Sequence, residues 1–274
     1  LLSLANNHAL DLGSEGLGET VSRLETAGIA PFGAGVDPAA AFQPVTYNVD
    51  GVRLAFLAFN AVPDGRDAAN WVRADWDPER AAAAVSAAGD EANAVIVSVH
   101  WGYEYQTRVD PSQRRAARSL LQAGADLVIG HHPHVVQTFE AWDGRGVCYS
   151  LGNFVFDQEQ GETGLGLALR AFFDEDGLLA VQALPIWAGR RPRLATASEA
   201  RSLVARMEGP PRRAAYVCDR TLCRSAEPDS DAAGSARSGL FWGGRTDLTG
   251  DGIAEHVRRV EERVIIYEGG AEVW

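Results

Sequence analysis

Over roughly its first 190 residues the chain alternates short apolar runs with segments of helical period. That alternation commits it to an α/β layer architecture. Asn93 to Val99 (NAVIVSV) is apolar, β-branched and too short for a helix, so it reads as a buried strand. Pro111 to Ala123 reads as a helix stopped by Gly124, and Asp126 to Ile129 as the next strand. Upstream, Leu1 to Ala5 is a strand end. Ser14 to Ala27 places Leu17, Val21 and Leu24 at helical spacing, with Ser14 as N-cap and Gly28 as stop. Pro78 to Ala88 is an Ala-rich helix with proline in its first turn. Three Asp-Gly pairs signal hairpins. Asp50-Gly51 joins Pro44–Asn48 to Val52–Phe59, Asp143-Gly144 joins Val135–Trp142 to Val147–Leu151, and Asp176-Gly177 joins Leu165–Phe173 to Leu178–Leu184. Because βαβ units mix with hairpins, two packed mixed sheets flanked by helices are expected, not one parallel sheet.

The pattern changes near Gly189. Residues 1–190 form the first expected domain, residues 191–238 a connecting segment with one short helix at Ser198–Met207, and residues 239–274 a small C-terminal β segment. No apolar run reaches the ~18 residues that span a bilayer. Both ends read as strands in mid-course, so the chain is expected to be a piece cut at both ends, its export signal lying upstream. The net charge is −12 and every basic residue is arginine, a balance that argues against a nucleic-acid partner. Cys148 sits in an apolar run and reads as a buried thiol. Cys218 and Cys223, in CDRTLC, are either a disulfide of an oxidising compartment or two free thiols.

Five of the 6 histidines fall just after predicted strands. His8 lies in ANNH, His100 begins HWGYEY, and His131, His132 and His134 lie in GHHPH. Loops at the carboxyl ends of strands in α/β sheets converge on one edge, and imidazole is the commonest transition-metal ligand. Each cluster has a plainer reading: His8 as a polar loop residue, Asn6 and Asn7 as turn formers, His100 as a strand-end cap. Three imidazoles in four residues are harder to place as mere surface or as unpaired core. Taken together, the clusters favour a metal site.

ANNHALDLG, HWGYEY, GHHPHVVQ and YSLGNFVFDQ, in this order, resemble the signature blocks of the CapA (poly-γ-glutamate or capsule synthesis) family, whose members resemble calcineurin-like metallophosphoesterases. The match covers residues 1 to about 188. It implies a metallophosphatase-like α-β-β-α sandwich, here N-terminally truncated, because an aspartate-bearing strand end, a Gly-Asp segment and an Asn-Leu-Glu type segment belong upstream. By resemblance the metal ligands are Asn7, His100, His132 and His134, and His8 is the acid that assists the leaving group. His131 stands where the superfamily often has glycine. Asp11 is a candidate to orient His8, or a helix-start acid. Glu104 is a candidate base or substrate contact, or a solvated loop acid. His131, Trp101, Gln137, Asn153 and Asp157 are expected pocket lining.

The implied cofactor is one or two divalent ions, with Mn, Zn and Fe undistinguished. Such ions would lower the pKa of water and offset charge on the transferred group. The expected partners are an anionic cell-envelope polymer or a phosphorylated small molecule, within a membrane-bound synthesis complex outside the cytoplasm. A non-catalytic scaffold subunit and a generic phosphoesterase are the rivals. Near the C-terminus, Asp247, Thr249, Asp251 and Glu255 place oxygen donors at the spacing of a Ca²⁺ loop, which resembles FG-GAP repeats of β-propellers. An Asp-Gly turn without calcium is the alternative there.

Overall fold

The computed structural model describes residues 1–66, 70–142, 144–158, 160–196, 198–200 and 203, and beyond these the backbone of five short strands. The chain forms two compact units, Leu1–Tyr103 with Val109–His132, and Glu104–Arg108 with Pro133–Trp274. It is a mixed α/β protein with several sheets, as the alternating pattern requires.

The first unit opens with β1 (Leu2–Ser3), α1 (Gly13–Thr26), β2 (Pro31–Phe32), β3 (Ala34–Gly35) and the one-turn helix α2 (Pro38–Ala41). The hairpin β4 (Val45–Val49) and β5 (Val52–Asn60) follows, then β6 (Val72–Arg73), α3 (Pro78–Gly89), β7 (Ala94–His100), α4 (Pro111–Ala123) and β8 (Leu127–His131). Strands β4, β5, β7 and β8 lie side by side in that order. β4 runs antiparallel to β5, and β5, β7 and β8 are parallel. Parallel neighbours need long crossovers, and α3 and α4 supply them. β7 is buried along nearly its whole length, the signature of a strand covered on both faces. Leu57, Phe59, Val97, Val99, Leu120 and Leu127 are each 1% exposed or less.

Local chemistry explains the ends. Asp50 (φ 51°) and Gly51 (φ 91°) make the mirror-image turn that the β4–β5 hairpin needs. Helix α4 begins in a capping box, Asp110 accepting from the Ser112 N–H while Gln113 reaches back to the Asp110 N–H. It ends on Gly124 at φ 114°. Helix α1 departs from expectation: it starts ahead of Ser14, with Leu12 at the N-cap and no side-chain cap bond. Gly13, at φ 71°, turns the chain in one residue earlier. Strand pairing at the N-terminus covers only Leu2–Ser3, which pair in parallel with Pro31–Phe32. Pairings this short, like β3 with β6, leave no periodicity in the sequence to read.

The second unit contains the hairpin β9 (Phe139–Trp142) and β10 (Arg145–Cys148), a 3-10 turn at Gly161–Gly164, and the long pair β11 (Leu165–Asp174) and β12 (Gly177–Trp187). Val135–Thr138, expected as strand, is irregular: Val136 makes only an isolated bridge to Leu151. The left-handed backbone of His134 (φ 59°) just before it breaks the ladder. β13 (Arg193–Leu194) pairs with β12. The backbone strands β14 (Tyr216–Cys218), β15 (Cys223–Ser225), β16 (Gly239–Gly243), β17 (Ile266–Glu268) and β18 (Ala271–Val273) continue the sheet in the order β11-β12-β16-β14-β15-β17-β18. Its register sets Cys218 opposite Cys223. Of the helix expected at Ser198–Met207, Ser198–Ala200 and Leu203 are helical. Asp247, Thr249, Asp251 and Glu255 lie outside the described residues. No helix among the described residues is long and apolar enough to cross a membrane.

Candidate metal centre

Register aligns the site in the first unit. Asn60, His100 and His131 are Cα partners across the carboxyl ends of β5, β7 and β8. Side chains at matched register leave the same face of a sheet. A regular continuation would send His132 to the opposite face. Instead its backbone sits at φ 96°, and its ring centroid lies 4.8 Å from that of His100. A non-glycine residue at such φ costs about 1–3 kcal/mol, and strain of this kind gathers at functional sites.

Asn7 arrives from the loop after β1. The His8 N–H donates to the Asn6 side chain (2.9 Å) and the Ala9 N–H to the Asn6 carbonyl (3.2 Å), which curls the loop into a tight turn. That turn places Asn7 Oδ1 2.8 Å from His100 Nε2. Beside them, His8 Nδ1 lies 2.9 Å from Asp11 Oδ2. The contact with His8 comes first, and the Arg66 guanidinium second, in holding the Asp11 carboxyl below its usual range. His8 is well exposed, with 69% of its side chain open to solvent.

Behind the loop lies a chain of charges that the strand-end histidines do not announce. Arg66 bonds Asp11 and reaches the Asn7 carbonyl at 3.4 Å. Asp64 lies 3.7 Å from Arg66 and takes two bonds from buried Arg73, at 2.5 and 2.7 Å. Arg73 also donates to Asp75 (2.6 Å), which accepts from buried Asn60 (2.9 Å). Asn60 had a legible signal, since it ends a strand as His100 does. Arg66 and Arg73 had none.

His131 is partly buried, and desolvation pushes its imidazole down to about 4, which keeps it neutral. Its carbonyl accepts from the N–H of Trp101, itself a buried core residue.

In the second unit, His134 Nδ1 lies 2.8 Å from Asn153 Oδ1, and its Nε2 lies 3.9 Å from Glu104 Oε1. A hydrogen bond from Nδ1–H fixes the tautomer in which Nε2 carries no proton. Tyr105 stacks on the ring at 6.0 Å and Phe156 stands at 5.1 Å. Buried Gln137 does a structural job: its amide donates to the carbonyls of Gln106 (2.8 Å) and Arg108 (3.2 Å), pinning the segment that carries Glu104. Asp157 is exposed. Asn153 also donates to the Thr163 carbonyl at 3.2 Å. Its backbone carbonyl packs so closely that a Cβ on Gly166 would lie 2.1 Å away. Gly166→Ala is therefore expected to lower stability by about 1–3 kcal/mol. It should also change the His134 ring resonances, which a thermal melt and an NMR spectrum would check.

The donor set suits a divalent cation. Amide oxygen and imidazole nitrogen converge at the first unit's strand edge, a mixed oxygen and nitrogen donor set that serves first-row divalent ions such as Zn, Mn or Fe.

The model of the family described as bacterial capsule synthesis protein PGA_cap matches residues 1–158, more than half of the chain. Among curated proteins, the chain is 39% identical over 162 residues to "PGA biosynthesis protein CapA" of Bacillus subtilis (strain 168), covering 58% of this chain and 43% of that one. It is 34% identical over 193 residues to "Capsule biosynthesis protein CapA" of Bacillus anthracis, covering 68% and 47%. It is 32% identical over 219 residues to a "Probable polyglutamine synthesis accessory protein" of Mycobacterium tuberculosis (strain ATCC 25618 / H37Rv), covering 72% and 57%. The chain thus spans about half the length of the curated relatives it matches. The four blocks that carried the resemblance all fall within the matched span, and the chain belongs to the bacterial capsule synthesis protein PGA_cap family.

Proposed function

We propose that this chain supplies a divalent-cation site of the metallophosphoesterase type to the synthesis or export of an anionic cell-envelope polymer, poly-γ-glutamate or capsule. The observation that carries the reading is the meeting of Asn7 Oδ1 and His100 Nε2 at 2.8 Å, with the His132 ring turned onto His100 by a strained backbone. Asn7, His100 and His132 would hold the cation. A cation held there would act as a Lewis acid, activating water and offsetting negative charge on a phosphoester or carboxylate.

The remaining roles belong to the chain's own side chains. With Nδ1–H given to Asp11, His8 in its imidazolium form would carry a second proton on Nε2, which it could pass to a departing oxygen, reverting to neutral imidazole. We read Glu104 as a base or substrate contact. Relatives named for capsule and PGA biosynthesis support a role in a polymer-synthesis complex. That this complex sits at the membrane, with this domain outside the cytoplasm, is our proposal. We further read the Asp247–Glu255 loop as a Ca²⁺ site at the start of an FG-GAP-like repeat, which calorimetric titration of the parent and of Asp251→Ala with Ca²⁺ would test.

Metal analysis of the full-length protein, after exposure to Mn²⁺, Zn²⁺ and Fe²⁺ in turn, is the direct test. One or two tightly held ions per chain are expected, together with hydrolysis of a chromogenic phosphoester that His8→Ala slows by ~10²-fold or more. Retention of no ion would end the proposal. Retained metal with no hydrolysis, unchanged in His8→Ala, would instead favour a binding subunit of the polymer machinery.

A further inference from the structure

We propose that Arg66 is a positioning residue that sets the Asn7–His8 pair, and that the Asp64–Arg73 ion pair anchors it from behind. The inference rests on the metal-site reading above but reaches residues outside its ligand set. Asp11 divides its carboxylate: Oδ2 lies 2.9 Å from His8 Nδ1, and Oδ1 takes the Arg66 guanidinium. The same Nη1 of Arg66 reaches the Asn7 carbonyl at 3.4 Å. Arg73 Nη1 holds the preceding carbonyl, Asn6, at 3.4 Å. Two guanidiniums thus grip the loop at successive carbonyls, and a third contact fixes the carboxylate that faces His8.

The anchoring is built to be stiff. Arg73 is 3% exposed and Asp64 11%, and the two bonds between them form a fork on one carboxylate. A forked arginine–carboxylate pair fixes direction as well as distance. Asp64 also lies two residues from Arg66 and accepts its backbone N–H at 3.1 Å, so the start of the Arg66 side chain is tied to the buried pair. Removing Arg66 leaves the pair intact and frees the Asp11 carboxylate to turn into water. Its effect should therefore appear in the orientation of His8 and Asn7, not in the fold. The plain rival is an ordinary half-exposed ion pair, which would contribute almost nothing.

The test uses Arg66→Met and Arg66→Lys in the full chain. Long-range ¹H–¹⁵N correlation of the His8 ring, in metal-free protein, reports which nitrogen carries the proton. The parent is expected to hold it at Nδ1, Arg66→Met to show a mixture of tautomers, and Arg66→Lys to restore the parent pattern by keeping a cation beside Asp11. Mn²⁺ titration by calorimetry is expected to show about a tenfold loss of affinity in Arg66→Met, the scale of a partner that orients a ligand. Melting temperatures of all three proteins should agree closely. An unchanged His8 tautomer in Arg66→Met overturns the assignment, as does a tautomer change that Arg66→Lys fails to reverse. If the parent binds no Mn²⁺, the metal-site reading fails while the tautomer measurement still decides the role of Arg66.

Discussion

His132→Ala is expected to weaken divalent-cation affinity by more than about 100-fold, because even residues that only orient a ligand are worth ~10–100-fold. The parallel change His100→Ala should match it, since the two ring centroids lie 4.8 Å apart and Asn7 Oδ1 meets His100 Nε2 at 2.8 Å. A second substitution separates ligation from support. His132 sits at φ 96°, where a side chain costs free energy that glycine does not incur. His132→Gly should therefore lose the metal as completely as His132→Ala while leaving the metal-free protein no less stable. Calorimetric titration with Mn²⁺ or Zn²⁺ reads the first quantity, and urea denaturation with chelator present reads the second. Native affinity in either variant would remove His132 from the site. A large loss of metal-free stability in His132→Gly would mean that the imidazole is there to pack.

Arg73→Ala should be the most damaging change away from the ligands, costing about 3 kcal/mol. Truncating one partner of a buried ion pair typically costs ~3–5 kcal/mol, because the other charge is left desolvated and unpaired. The lower end applies here, since Asp64 keeps 11% of its side-chain exposure. Replacing both partners, as in Asp64→Leu with Arg73→Met, should recover most of the loss, which a double-mutant cycle in urea would measure.

The pair also predicts a pH dependence. The bond from Arg73 is the main cause that draws the Asp64 carboxyl down to about 2, well below its ordinary value of 3.8. The folded state thus holds this proton less tightly than the unfolded state. The resulting stability is present in full above about pH 4 and is lost as pH falls through 2. In the double variant that acid limb should flatten. If it does not, other carboxylates control acid unfolding.

The framework of the first unit was legible because its signals are local. Pro111, Gln113 and Gly124 bracket a helix whose cap, first turn and stop depend on neighbours within a few residues. Asp50-Gly51 dictates a hairpin for the same reason. The apolar run ending at His100 specifies a strand buried on both faces wherever the chain places it. What failed was equally physical. Ser14 has the chemistry of a cap, but the φ of Gly13 started the helix earlier. The expected strand at Val135 was stopped by a left-handed histidine that no propensity foretells.

By itself, the sequence determined that imidazoles would stand at strand ends, because apolar runs and their stops are written in adjacent residues. Family resemblance named Asn7, His8, His100, His132 and His134 as a set. Only the tertiary structure decided that Asn7 reaches His100 and that His132 swings back onto it. It alone recruited Arg66, Arg73 and Asp64 from a distant stretch to grip the loop. Those contacts join residues separated by up to 93 positions. Their formation depends on strand register and a strained backbone angle, and neither quantity is encoded in any short window of the chain.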